Sequence, residues 1–308
     1  MNITCFNDLA AYAAGFSQKP VVAVVEAHDD STVESVLEAA SANMISPAFI
    51  GNRSRIKAII SKLGCFPGDF NIISSGGSKE SIAAAVGLIK DGRACALMKG
   101  ALDTGQLMRA VLSRENGLML GARLSVAGFF ETSSYHKLFA LSDMAINVAP
   151  DFECKRTITE NAVGMLNALG NACPKVAVLS SVEKINPKLP DTVDADALKR
   201  LCEAGKIKNC IIEGPISFDL ATDSDAALVK GYKSPVAGDA DLLIVPDLIS
   251  GNILAKCLTG MAGAKTAGTV LGAKVPIILT SRSAAASDKY FSIALAACLG
   301  RGAYLEED

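Results

Sequence analysis

Short apolar runs, each closed by turn residues and followed by a stretch of helical periodicity, recur along the whole chain. Pro20-Val21-Val22-Ala23-Val24-Val25 is the first of them. Such a run suits a parallel strand buried on both faces, and its alternation with helices predicts a mostly parallel sheet in an α/β fold. The pattern predicts strands at 20–25, 46–51, 70–73 and 94–98, with helices over 31–40, 54–63, 78–90 and 104–112. Ser31-Thr32-Val33-Glu34 has the spacing of a capping box opening the first of these helices. Further strands are expected at 124–130, 144–148, 176–179, 209–215 and 242–247, with helices at 157–169 and 195–204. A last strand at 277–279 precedes an alanine-rich helix.

Half of the residues are hydrophobic and there is no Trp, the palette of closely packed helices on a buried sheet. The 308 residues exceed the size at which single cores stop growing, roughly 250 to 300 residues. Two domains follow. No flexible linker interrupts the pattern, so the domains are expected to share the chain discontinuously: 1–122 plus 268–308 in one, 123–267 in the other, with the site in the cleft between them.

The formal net charge of −2 offers no basic field for a nucleic acid. No apolar run reaches the roughly 20 residues that span a bilayer, and the first residues lack a basic flank and apolar signal core, so a cytoplasmic protein is expected. The nine cysteines are odd in number and show no Cys-x-x-Cys pair. Reduced thiols, not disulfides or a zinc site, are the simplest account, and no metal is expected.

The chemistry concentrates where Ile277-Ile278-Leu279 stops at Thr280-Ser281-Arg282 and a carboxylate, Asp288, follows six residues after the arginine. A turn at the carboxyl end of a strand is where open α/β sheets collect ligands. Arg282 brings a planar, permanently charged fork suited to phosphate oxygens. Taken alone, the Ser-Arg dipeptide reads more readily as a helix cap beside a solvated charge. Met98-Lys99-Gly100 ends another strand, with Arg109 on the helix behind it. Lys99 reads as a phosphate neutraliser or as an exposed strand-end lysine, Arg109 as a phosphate ligand or a solvated helix charge, and Asn252 as a substrate contact or an N-cap. His28 reads as a turn residue, His136 has no evident partner, and Asp247 ends a strand or supports Arg282. Glu213 and Asp219 flank Gly214-Pro215 and either line a cleft or hydrate its rim.

Gly214-Pro215-Ile216-Ser217-Phe218-Asp219, Ser234-Pro235-Val236-Ala237-Gly238-Asp239 and Val245-Pro246-Asp247-Leu248-Ile249-Ser250-Gly251-Asn252, taken in order with Lys99-Gly100 and Thr280-Ser281-Arg282, resemble the phosphate acetyl/butyryltransferase family over essentially the whole chain. Met98-Lys99-Gly100, Asn147-Val148-Ala149-Pro150-Asp151 and the run 276–283 look closest to its butyryl branch. The resemblance implies a two-domain, three-layer α/β/α scaffold like isocitrate and isopropylmalate dehydrogenases, usually a homodimer or larger oligomer. It implies reversible acyl transfer between CoA and inorganic phosphate, butanoyl-CoA + phosphate = butanoyl phosphate + CoA, with CoA a substrate and no cofactor. By family position Asp288 is the base that takes the thiol proton, and Ser281 and Arg282 stabilise the oxyanion and hold phosphate. Arg109, Lys99 and Asn252 are the candidate substrate contacts.

Three alternatives stand beside this expectation. The first is the acetyl-CoA-specific sister activity. The second is an NAD(P)-dependent decarboxylating dehydrogenase on the same architecture, against which stand the lack of a Gly-x-Gly-x-x-Gly turn after the first strand and of an obvious aspartate cluster for a divalent metal. The third is a non-catalytic CoA-binding protein.

Overall fold

The computed structural model describes residues 3–121, 123–280 and 284–302. In chain order its elements begin with α1 (Phe6–Ala14), β1 (Val21–Val25), α2 (Asp30–Ser41), β2 (Ser46–Gly51), α3 (Arg53–Lys62), β3 (Asn71–Ser74), α4 (Ser78–Lys90), β4 (Ala96–Lys99) and α5 (Thr104–Leu112). They continue with β5 (Ser125–Glu131), β6 (Phe139–Ser142), α6 (Phe152–Ala168), β7 (Lys175–Leu179), α7 (Pro190–Glu203), β8 (Ile211–Ile216), α8 (Phe218–Thr222) and α9 (Ser224–Val229). The chain closes with β9 (Leu242–Ile244), α10 (Leu248–Gly260), β10 (Lys265–Leu271), β11 (Ile277–Ile278) and α11 (Ala286–Gly302). No described helix is long and apolar enough to cross a membrane.

The fold is mixed α/β, and the chain divides into two compact units. One unit comprises Phe6–Gly121 with Ala267–Asp308. Its strands lie in the order β3-β2-β1-β4-β11-β10, parallel throughout except that β10 runs antiparallel to β11. Val22, Val24, Leu97, Met98 and Ile277 are fully buried, which is what a strand covered by helices on both faces demands. Helix α11 packs on α1, α2, β4 and β11, with Phe291 stacked on Phe6 of α1 at a centroid separation of 4.7 Å.

The second unit comprises Met1–Cys5 with Ala122–Thr266. Its strands run β5-β6-β9-β7-β8, parallel except for the antiparallel pair β5 and β6. Phe130, Phe139, Leu141, Leu243 and Ile216 centre its core.

Helices α4 and α5 keep the bounds their periodicity predicts, and most other elements shift by a residue or two at an end. The predicted strand at 144–148 is wrong. That segment is a loop organised by Asp143, a buried carboxylate that accepts the backbone N–H groups of Val126, Ala145, Ile146 and Asn147 and the Asn147 side-chain amide. An apolar run whose donors are consumed by one carboxylate cannot lend them to a ladder. Strand β6, which lies just before this loop, and β10 had no reading from the sequence. The first capping reading also moves: Asp29, not Ser31, caps α2 by accepting the Thr32 N–H at 2.8 Å.

Candidate active site

Strand order in the first unit reverses between β1 and β4, since β1 leads through α2 to β2 on one side while β4 lies on the other. A crevice opens at the carboxyl ends of strands at such a switch point, because consecutive crossovers leave in opposite directions. Three strands end there: β1 at Glu26-Ala27-His28, β4 at Lys99-Gly100 and β11 at Thr280. Together with the first turns of α2 and α11 they enclose a cavity of about 350 Å³.

Gly100 lets β1 and β4 approach this closely. A Cβ there would lie 2.2 Å from the Glu26 carbonyl oxygen and 2.7 Å from that of Val25. In its absence the Gly100 N–H donates to the Val25 carbonyl at 2.8 Å, and the Ala101 N–H to that of Glu26 at 2.7 Å. Glu26 itself sits in the left-handed region, at φ +54°, which a non-glycine residue adopts at a cost.

The Glu26 side chain is buried and accepts from the Ser81 hydroxyl on one oxygen while the other lies 3.1 Å from His28 Nδ1. His28 Nε2 accepts the Asn52 N–H at 2.7 Å. An Nε2 that accepts carries no proton, so the neutral ring holds its proton on Nδ1, facing Glu26. His28 is therefore a bracket between the ends of β1 and β2.

Lys99 is 9% exposed and its Nζ donates to the carbonyls of Gly100 and Leu102 at 3.2 and 3.3 Å, so the reading of an exposed strand-end lysine fails. Lys99 lines the cavity, as do Arg55, Thr280 and a residue without a signal in the sequence, Lys289. Lys289, 3% exposed, donates from Nζ to Ser31 Oγ at 2.6 Å. Asp288, the residue before it, is half-buried in the first turn of α11, and its carbonyl accepts the Ser292 hydroxyl at 2.6 Å. Ser281 and Arg282 lie outside the described residues; Thr280 and Ala284 bracket their place in the chain between β11 and α11.

The remaining candidates stand apart from this cavity's lining. Arg109 is exposed in the last turn of α5 and folds back over Gly105, whose Cβ would lie 3.5 Å from the Arg109 guanidinium. Asn252 belongs to the second unit and lies inside α10, where its amide donates to the Met144 carbonyl at 3.3 Å. Asn252 is not an N-cap. Asp247 holds that position, accepting the Ser250 N–H at 2.8 Å, and this bond draws its carboxyl below the usual range. His136 does have a partner, Asp239 at 2.9 Å, in a cluster with Lys137 and Lys175. Glu213 is buried against Lys199 at 2.7 Å, and Asp219 pairs with Lys230 at 2.8 Å.

Two other cavities provide a comparison. A cavity of about 450 Å³ at the amino ends of β1 and β2 is lined by Lys19, Arg93 and Arg301; Lys19 Nζ is held by the Ala14 and Phe16 carbonyls, Arg301 lies over the Phe16 ring, and Arg93 is exposed. A cavity of about 730 Å³ in the second unit is ringed by Asp151, Asp191 and Asp247. Carboxylates repel phosphate, whereas Arg55, Lys99 and Lys289 set three cations against the single carboxylate of Asp29, which is engaged in its cap. No cysteine lines the switch-point cavity, and burial pushes the thiols of Cys95, Cys210 and Cys298 up to about 12.

A cationic pocket at a strand-end switch point is a feature that relatives can place. The sequence profile of a family described as phosphate acetyl/butaryl transferase matches residues 77–297. A phosphate acetyltransferase of Rhizobium meliloti is 40% identical over 92% of this chain and 90% of its own length. A phosphate butyryltransferase of Clostridium acetobutylicum is 36% identical over 96% of this chain and 98% of its own. Among solved structures, a branched-chain phosphotransacylase from Enterococcus faecalis V583 superposes with a TM-score of 0.82 at 31% identity, over 91% of this chain and 99% of that one. With a profile match that takes in β4, most of α11 and everything between, and relatives aligned almost end to end, the chain belongs to the phosphate acetyl/butyryl transferase family and is an acyltransferase.

Proposed function

We propose that the chain catalyses reversible transfer of a short acyl group between CoA and inorganic phosphate, with butyryl favoured, by direct attack in a ternary complex. The observation that carries this reading is the cavity at the ends of β1, β4 and β11, walled by Lys99, Lys289 and Arg55 in a member of a family of phosphate acyltransferases.

The chemistry sets three tasks. The CoA thiol must lose its proton as sulfur attacks the acyl phosphate carbonyl, and Asp288 takes it; a positioned general base contributes about 10²- to 10⁴-fold. The tetrahedral oxyanion needs donors aimed at its developing charge, each worth about 3 kcal/mol, and Ser281 and Arg282 supply them. The departing phosphate needs cations, which Arg282 and Lys99 provide. Arg109 holds the phosphate or the phosphorylated end of CoA, and Asn252 makes a polar substrate contact. With that charge supplied by side chains, the reaction runs without a metal or redox cofactor. The elevated thiols of Cys95, Cys210 and Cys298 and the absence of a cysteine from the described cavity lining support direct transfer over an acyl-cysteine intermediate.

Preference for butyryl rests on the butyryl-like runs at 98–100, 147–151 and 276–283. One methylene is worth about 1 to 3 kcal/mol in a hydrophobic pocket, so a few contacts decide it. The test is phosphate-dependent release of CoA thiol from acetyl-, propionyl-, butyryl- and isobutyryl-CoA by the purified protein. A maximum at butyryl supports the reading, an acetyl maximum moves the chain to the sister activity, and no release from any donor overturns it.

A further inference from the structure

Among the described residues Lys289 makes no ion pair: its buried ammonium has one hydrogen bond, to a neutral hydroxyl, Ser31 Oγ. An ammonium carries three donors, and removing it from water is costly unless it is paired. The contrast within the chain is direct: Lys155, 7% exposed, is matched by Asp194 at 2.7 Å. A cation kept inside a protein without a carboxylate implies an anion that arrives with the ligand.

The surroundings state which anion. Lys289 shares its cavity of about 350 Å³ with Lys99, Arg55, Ser31, Thr32 and Thr280 and, among the described residues, with no unengaged carboxylate. The Ser31 hydroxyl, already accepting from Lys289, retains its own proton to donate to a ligand oxygen. Several cationic and hydroxyl donors converging from α2, α3, β4, the end of β11 and α11 match the multiple acceptor oxygens of a phosphate group better than the two of a carboxylate. A spherical ammonium in this setting acts as a point charge on that group.

We infer that Lys289, with Ser31 as its hydroxyl partner, is the central cation of a phosphate-binding pocket at the head of α11. For the identity of the phosphate this rests on the acyltransferase reading above: the bound group is the phosphate transferred to the acyl chain or a phosphate of CoA itself. Lys289 follows Asp288 directly in the chain, so one helix turn carries both the cation for the anion and the base for the thiol.

The test uses Lys289→Met, which keeps the apolar stem, Lys289→Arg, and Ser31→Asp. The last puts a carboxylate beside Lys289 in the exposed first turn of α2, where an acidic residue is favourable to the helix, so folding is maintained. Circular dichroism confirms folding of each. In acyl-CoA phosphorolysis, Lys289→Met and Ser31→Asp are expected to raise a KM about tenfold or more, Lys289→Arg to recover part of the loss, and kcat to fall less. A rise in the KM for phosphate with the acyl-CoA KM unchanged identifies the transferred phosphate. A rise in the acyl-CoA KM alone, absent with 3′-dephospho substrate, identifies the CoA phosphate. Folded variants with both KM values within twofold of wild type overturn the pocket. If the wild type shows no turnover, the acyltransferase reading fails by itself, and calorimetric titration of inorganic phosphate and of CoA into wild type and Lys289→Met still decides the pocket: loss of either affinity in the variant upholds it, and equal affinities overturn it.

Discussion

Gly100→Ala tests the geometry on which the cavity depends. Its new Cβ would stand 2.2 Å from the Glu26 carbonyl oxygen and 2.7 Å from that of Val25, both backbone atoms with no rotamer to yield. A normal contact of about 3.2 Å requires the two strand ends to part by roughly 1 Å, overpacking that typically costs about 1 to 3 kcal/mol. The same movement stretches the hydrogen bonds from Gly100 and Ala101 to those carbonyls, at about 0.5 to 1.5 kcal/mol each. The sum is about 2 to 6 kcal/mol. At about 2 to 4 °C per kcal/mol for a unit of this size, melting followed by circular dichroism should fall by roughly 4 to 24 °C. Turnover measured well below the new melting point should fall too, because Lys99 precedes the displaced residue. Gly87→Ala is the control: its Cβ meets nothing within 4 Å inside α4, and it should raise stability by about 0.5 to 1 kcal/mol. Wild-type melting and turnover in Gly100→Ala would refute the claim that β1 and β4 are held together at this glycine.

Further perturbations address single residues. Asp288→Asn should cut turnover about 10²- to 10⁴-fold while leaving the phosphate KM within about threefold, as read from initial rates; wild-type turnover removes Asp288 from the mechanism. Glu26→Gln replaces an acceptor facing His28 Nδ1–H or the Ser81 hydroxyl with an amide donor, and should cost about 1 to 3 kcal/mol in urea unfolding. Asp247→Ala removes the cap of α10 at about 1 kcal/mol. The folded carboxyl of Asp247 is lowered, so its contribution is fully present above the unfolded value near 4 and lost as pH falls through the folded one. The stability difference between wild type and Asp247→Asn should accordingly shrink below about pH 4, and a difference that grows with acid contradicts the assignment.

The α/β class was legible because buried parallel strands leave uninterrupted apolar runs, and Val21-Val22-Ala23-Val24-Val25 admits little else. The run 144–148 deceived because periodicity counts side chains, whereas the competing term was the Asp143 carboxylate capturing backbone donors. Lys99 was legible as a candidate from its strand-end position, but its burial was not. Lys289 left no signal in sequence, since its hydroxyl partner lies 258 positions away and nothing local distinguishes a buried lysine from a solvated one. The pairing of His136 with Asp239, 103 positions apart, was hidden for the same reason. Asn252 misled differently: Asn, Ser and Asp all cap helices, and of the polar residues near the start of α10 the structure uses Asp247.

The most direct test of the account follows wild-type protein, butyryl-CoA and varied phosphate, measuring thiol release and acyl phosphate formation in the same reaction. The account predicts one acyl phosphate per thiol, no release without phosphate, and double-reciprocal lines that intersect as substrate and phosphate are varied together. Parallel lines would indicate an acyl-enzyme in place of direct transfer, and thiol release that ignores phosphate would contradict the phosphate acyltransferase assignment itself.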